Sequence, residues 1–136
     1  MKLPPANSRV CFVGPTRSGK TYLARSWLRT YDNVAILDPK RQFSWNTPGK
    51  RFARIANTYR QFERLMVRSE ADGFPVIYRP PEEHLLPENC EYLDGFYRYC
   101  LERRNTLTYT DELYYVASGS DFTRRAPYFF RAVTTG

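Results

Sequence analysis

The chain holds a single histidine and only three cysteines in 136 residues. Cys90 and Cys100 stand ten apart with no partner pair, and Cys11 sits inside an apolar run, where a small core thiol belongs. No zinc or iron–sulfur ligand set can be drawn from them. An odd cysteine count, unpaired by spacing, suits a reducing compartment. The lone His84 follows Pro80-Pro81-Glu82-Glu83 and reads as exposed. No apolar run approaches the roughly 18 residues of a membrane span. Met1-Lys2-Leu3-Pro4-Pro5 has no apolar h-region behind it, so no secretory signal is read. Internal repeats and low-complexity tracts are also missing. These absences lead to the expectation of a soluble, cytoplasmic protein without a membrane partner.

What is present is basic. The formal net charge is +7, most of the excess being arginine. That suits a polyanionic partner, and ordinary solubility charge explains it nearly as well. The length suits one domain, residues 1–136, with a real core.

One stretch carries chemistry on its face. Gly14, Gly19, Lys20 and Thr21 match G-x-x-x-x-G-K-[ST], the phosphate-binding loop of nucleotide triphosphatases. Val10 to Val13 before it reads as a buried strand. Behind it, Leu23, Ala24, Trp27 and Leu28 recur at helical spacing. Gly14 lets the chain turn out of the strand, and Gly19 lets the backbone approach a phosphate. The N–H groups of Gly14, Pro15, Thr16, Arg17, Ser18, Gly19, Lys20 and Thr21, proline excepted, would converge on the anion ahead of a helix N-terminus. Lys20 brings a mobile positive charge to the outer phosphates, and the Thr21 hydroxyl is placed for Mg²⁺.

The rest of the chain alternates strands and helices. The first helix runs to about Tyr31. Asn33 to Asp38 is an apolar run ending in an acid, stopped by Pro39. Phe43 and Trp45 in the following loop are expected to pack locally. Arg51 to Ala56 alternates basic and apolar residues, as a half-exposed strand does. Tyr59 to Glu70 reads as a helix with Phe62, Leu65 and Met66 on one stripe. Arg60, Arg64 and Arg68 lie on another, expected to be a solvated face. Ala71-Asp72-Gly73 is a turn, Phe74 to Arg79 a strand, and Pro80 to Pro87 a loop. Asn89 to Arg103 reads as a helix whose apolar side holds Tyr92, Leu93, Phe96, Tyr97, Cys100 and Leu101. Asn105 to Asp111 is a strand, less apolar than usual because of Thr108 and Thr110. A closing helix starts near Pro127, where proline is tolerated in the first turn. The pattern implies a mostly parallel sheet with helices on both faces, the α/β layout of a P-loop NTPase.

A phosphate loop needs a metal partner and a way to activate water. Asp111 and Glu112 close the β-prone run Leu107 to Thr110. Asp111 could hold Mg²⁺ through a water, and Glu112 could polarise the attacking water.

The order of these pieces resembles a family. The phosphate loop is followed by Val34-Ala35-Ile36-Leu37-Asp38-Pro39-Lys40, then Arg104 to Leu113 with its Asp-Glu pair, then Phe129 to Gly136 with its Arg-containing helix. This resembles the FtsK–HerA superfamily of P-loop ATPases, especially the small viral genome-packaging members. The resemblance implies ATP hydrolysis with Mg²⁺, a homo-oligomeric ring, usually hexameric, and movement of double-stranded DNA, in host cytoplasm if viral. Lys20, Thr21, Asp111 and Glu112 carry over by position, with Lys20 and Glu112 catalytic and Thr21 and Asp111 on the metal. Arg17 departs from the small residue common at its place. Arg124, Arg125 and Arg131 are candidates for an arginine finger reaching a neighbouring subunit. The family pattern continues past this Gly into a strand ending in a polar sensor, so a domain truncated before that strand is one expectation. Two other functions stay open: a nucleotide-binding fragment or assembly factor without turnover, and a small-molecule kinase. The adjacent acids favour hydrolysis over a kinase, which must avoid activating water.

Overall fold

The computed structural model describes residues 14–45, 52–103, 106–112 and 122–134. The expected strand Val10 to Val13 lies outside them. The described sheet has four strands: β1 (Val34–Leu37), β2 (Arg54–Ala56), β3 (Val76–Tyr78) and β4 (Leu107–Thr110). Their order is β2-β3-β1-β4 and every pairing is parallel. The α/β architecture with an all-parallel sheet is therefore as the sequence implies.

Position in the sheet explains composition. β1 is paired on both sides and covered on both faces, so all four of its residues are buried and apolar. β2 lies at an edge, and Arg54 and Ile55 are exposed there. Alternate residues of β1 face opposite layers. Val34 and Ile36 pack with Leu28 of helix α1 (Lys20–Leu28), together with Ile77, Phe43 and Trp45. Ala35 and Leu37 pack with Phe62 and Met66 of α2 (Tyr59–Asp72) and Leu93, Phe96 and Tyr97 of α3 (Cys90–Glu102). Helices thus cover both faces, and the loop aromatics Phe43 and Trp45 are core residues, as expected.

Helix ends follow local chemistry. Thr58 caps α2 by accepting from the Gln61 N–H, while the Gln61 side chain accepts from the Asn57 N–H. Gly73 ends α2 in the left-handed region at φ 70°. α1 stops at Leu28, short of Tyr31, because the N–H groups of Thr30 and Tyr31 bond carbonyls three residues back. A short helix α4 (Phe122–Arg125) precedes α5 (Pro127–Thr134), which begins with proline as expected. α5 has a cap supplied from another helix. The buried Asp94 of α3 accepts from the N–H groups of Tyr128 and Phe129 at 3.3 and 2.8 Å.

Three side chains depart from expectation. Tyr92 and Leu101 are exposed, at 53% and 38%. A stripe read at helical spacing is wider than the arc that touches the sheet, and these two fall on its margins. His84 is not exposed: its ring stacks on Tyr92 with centroids 4.3 Å apart, and its Nδ1 is buried. The segment expected to be a plain loop forms 3-10 turns at Glu82–Leu85 and Pro87–Asn89, which set the ring there.

The Asp94 cap yields a stability test. Asp94→Ala should lower the unfolding free energy by about 1–2 kcal/mol in urea titrations. Asp94→Asn, which keeps an acceptor oxygen, should lose less.

Candidate nucleotide site

The Gly14–Thr21 loop is described in full and lies at the start of α1. Gly19 is the N-cap residue, left-handed at φ 88°, with no side chain capping the helix and no acid in its first turn. A helix start without its own acceptors leaves N–H groups for an external anion. Arg17 is also left-handed, at φ 66°, which a non-glycine residue rarely adopts. The loop is tightly closed: a Cβ on Gly14 would fall 2.8 Å from the Ser18 Oγ. Lys20 folds back across it and donates to the Gly14 and Pro15 carbonyls at 2.6 and 2.8 Å. The ammonium therefore sits at the loop itself, where a bound phosphate would need it.

The carboxyl edge of the sheet forms the second part. Backbone bonds extend the ladder one residue past three strands: Arg79 N–H to Ala56 O, Asp38 N–H to Tyr78 O, and Asp111 N–H to Leu37 O. These bonds set Arg79, Asp38 and Asp111 in a row beyond the strand ends, where open α/β sheets bind ligands.

The row divides into two kinds of carboxylate. Asp38 is fully buried and takes the N–H groups of Gln42 and Phe43, each at 3.1 Å, and the Arg79 Nε at 2.9 Å. Arg79 also bonds the Phe43 carbonyl at 3.0 Å. Asp38 is thus saturated by scaffold contacts. Asp111 takes a hydrogen bond from the Tyr109 hydroxyl at 3.1 Å. Burial raises its pKa above the ordinary aspartate value; the Tyr109 hydrogen bond opposes this, the charges of Asp38 and Glu112 add to it, and Arg25 opposes it. A cation brought beside it would relieve that penalty.

Arg25 ties the two parts together. It lies on α1, five residues beyond the phosphate-loop lysine, and its guanidinium stacks over Phe43 at 5.0 Å. Phe43 in turn meets the Tyr109 ring at 5.5 Å. The helix behind the loop thereby reaches the strand end that carries Asp111. Glu112, next along, is left-handed at φ 54°, about half exposed, and 3.6 Å from the Lys40 ammonium.

The structure also explains the unusual composition of β4. Thr110 shares a 2.7 Å hydrogen bond with the Tyr97 hydroxyl, and Thr108 bonds the Cys100 thiol. Both threonines therefore satisfy polar groups of α3. Burial pushes the Cys100 thiol up to about 12, so it stays protonated as a core residue.

The motifs single out the loop, Asp111 and Glu112 but do not point to Arg25, Arg79 or the scaffold role of Asp38. Lone arginines carry no motif, and only the strand-terminal position of Asp38 hinted at its place. Of the finger candidates, Arg125 is bonded within the chain to the Pro87 and Glu88 carbonyls and to Glu91. Arg124 and Arg131 are exposed. Among the described residues no helix is long and apolar enough to cross a membrane, and no three His, Cys, Asp or Glu side chains gather into a metal-binding group. Comparison of the chain with protein-family models, curated proteins and solved structures gives no match.

The environment of Asp111 predicts a pH effect. A carboxylate with a raised folded-state pKa favours the fold when protonated, and this contribution fades as pH rises through the folded value. Asp111→Asn should therefore raise the Tm at neutral pH and change it little below the ordinary aspartate range. A Tm difference independent of pH would show that burial of this charge carries no cost.

Proposed function

We propose that this chain binds ATP at the Gly14–Thr21 loop and hydrolyses it, as the motor domain of a DNA-translocating ring. The observation that carries the ATP reading is the loop: an uncapped helix start, a lysine folded into it, and a helix leading to two acids at a parallel strand end. The loop N–H groups and Lys20 bind and orient the phosphates. Thr21, through its hydroxyl, and Asp111, through a water, would hold Mg²⁺ with hard oxygen donors of the kind it takes. When bound, that ion neutralises charge on the outer phosphates. Glu112 accepts a proton from the attacking water at its carboxylate. Its neighbour Lys40 holds that carboxylate near the β1 end.

DNA as the track rests on a net charge of +7, on exposed Arg60, Arg64 and Arg68 along α2, and on the resemblance in motif order. The same resemblance leads us to propose a homo-oligomeric ring, hexameric as in the family it resembles, with one of Arg124, Arg125 and Arg131 reaching the adjacent subunit's site.

Phosphate release by the purified protein, with and without duplex DNA, tests the proposal. Turnover should rise with DNA. Lys20→Ala should abolish it together with nucleotide binding. Glu112→Gln should keep binding and lower kcat by about 100- to 10,000-fold. Transfer of phosphate to a nucleoside in place of water, or binding without any turnover, would overturn it.

A further inference from the structure

On the α2–α3 face, away from α1, lies a cavity of about 510 Å³. It is within the range of small-ligand sites. Two of its lining residues have buried polar atoms without a hydrogen-bond partner among the described residues: the Tyr78 hydroxyl and the His84 Nδ1. Tyr78 is 0% exposed, so its hydroxyl cannot turn to solvent. A buried polar atom left unpaired is unfavourable, and two bordering one cavity mark a place for a polar occupant.

The walls say which kind. Tyr59, Tyr99 and the His84–Tyr92 stack present aromatic surface. Three carboxylates line the cavity, against one arginine. Glu102 is paired with Arg98 at 3.1 Å, and Glu91 with Arg125 at 2.8 Å. Glu63 contacts the Tyr59 hydroxyl, which also bonds the Gly95 carbonyl at 3.3 Å. One hydroxyl proton leaves most of the acceptor capacity of Glu63 open. Anions are disfavoured by this lining. A planar cation that stacks on tyrosine and carries several N–H donors suits it. Such contacts already occur at its lining residues: the Arg103 guanidinium lies over the Tyr99 ring at 5.0 Å, and that of Arg98 over the Tyr128 ring at 5.5 Å.

We propose that this cavity is a guanidinium-binding site, with Glu63 as the charged acceptor, the Tyr78 hydroxyl and His84 Nδ1 as further acceptors, and tyrosine rings as the stacking surface. It is independent of the phosphate loop. The guanidinium could belong to a free small molecule or to an arginine side chain of a partner, and the same chemistry serves both.

Calorimetric titration of the full chain with agmatine and with an acetyl-arginine-amide peptide tests the assignment. Saturable binding is expected for at least one probe, unchanged in Lys20→Ala. Tighter binding of agmatine would support the site with a free small cation as its source, and tighter binding of the peptide would support it with a partner's arginine. Glu63→Gln should weaken binding by about tenfold or more, and Tyr78→Phe by several-fold, with near-UV dichroism reporting an intact fold. No saturable binding of either probe to the folded protein, or equal affinity in both variants and wild type, would overturn the proposal and leave a solvent-filled pocket.

Discussion

The buried carboxylate of Asp38 is the contact on which the carboxyl edge of the sheet depends. A charge with no solvent exposure persists only if its lone pairs are met by good donors. Two backbone N–H groups and the Arg79 guanidinium meet them here. Those bonds do three things at once. They fold residues 39–43 back over the sheet end, they tie β3 to β1, and they seat Phe43 between Arg25 and Tyr109. Loss of the Arg79 partner would leave an uncompensated buried charge, a change that typically costs about 3–5 kcal/mol.

The parallel register then turns that contact into a site. Pairing Leu37 with Thr110 brings Asp111 alongside Asp38. One carboxylate is saturated by the scaffold, and its neighbour bears the electrostatic consequence as a raised pKa. This asymmetry gives the two adjoining acids different environments, and a cation placed beside Asp111 would relieve its burial while Asp38 is already satisfied. The opposite layer of helices is organised by different forces: ring packing around Phe62, the Asp94 cap on α5, and polar bonds from α3 to the threonines of β4.

Much of this was legible in the chain because its signals are local. Glycine, lysine and threonine at fixed spacing define the loop within eight residues, and apolar runs mark β1 and β3 without reference to anything distant. β4 was harder, since Thr108 and Thr110 look out of place until Tyr97 and Cys100 are seen to bond them. The role of Asp38 depends on an arginine 41 residues away, a separation across which no periodicity speaks. His84, Tyr92 and Leu101 were misplaced for a related reason. Helical spacing gives the direction of a stripe but not the width of the surface that covers it, and a proline-rich segment does not announce the turn that buries a ring.

We propose that the strand-end acids are divided, Asp38 for the scaffold and Asp111 for a nucleotide-bound cation. Mn²⁺ in place of Mg²⁺ allows this to be read directly by paramagnetic resonance in the presence of ATP. Nucleotide-dependent Mn²⁺ binding is expected, weakened by about 10- to 100-fold in Asp111→Asn while the protein stays folded. Equal Mn²⁺ affinity in the wild type and in folded Asp111→Asn would contradict it.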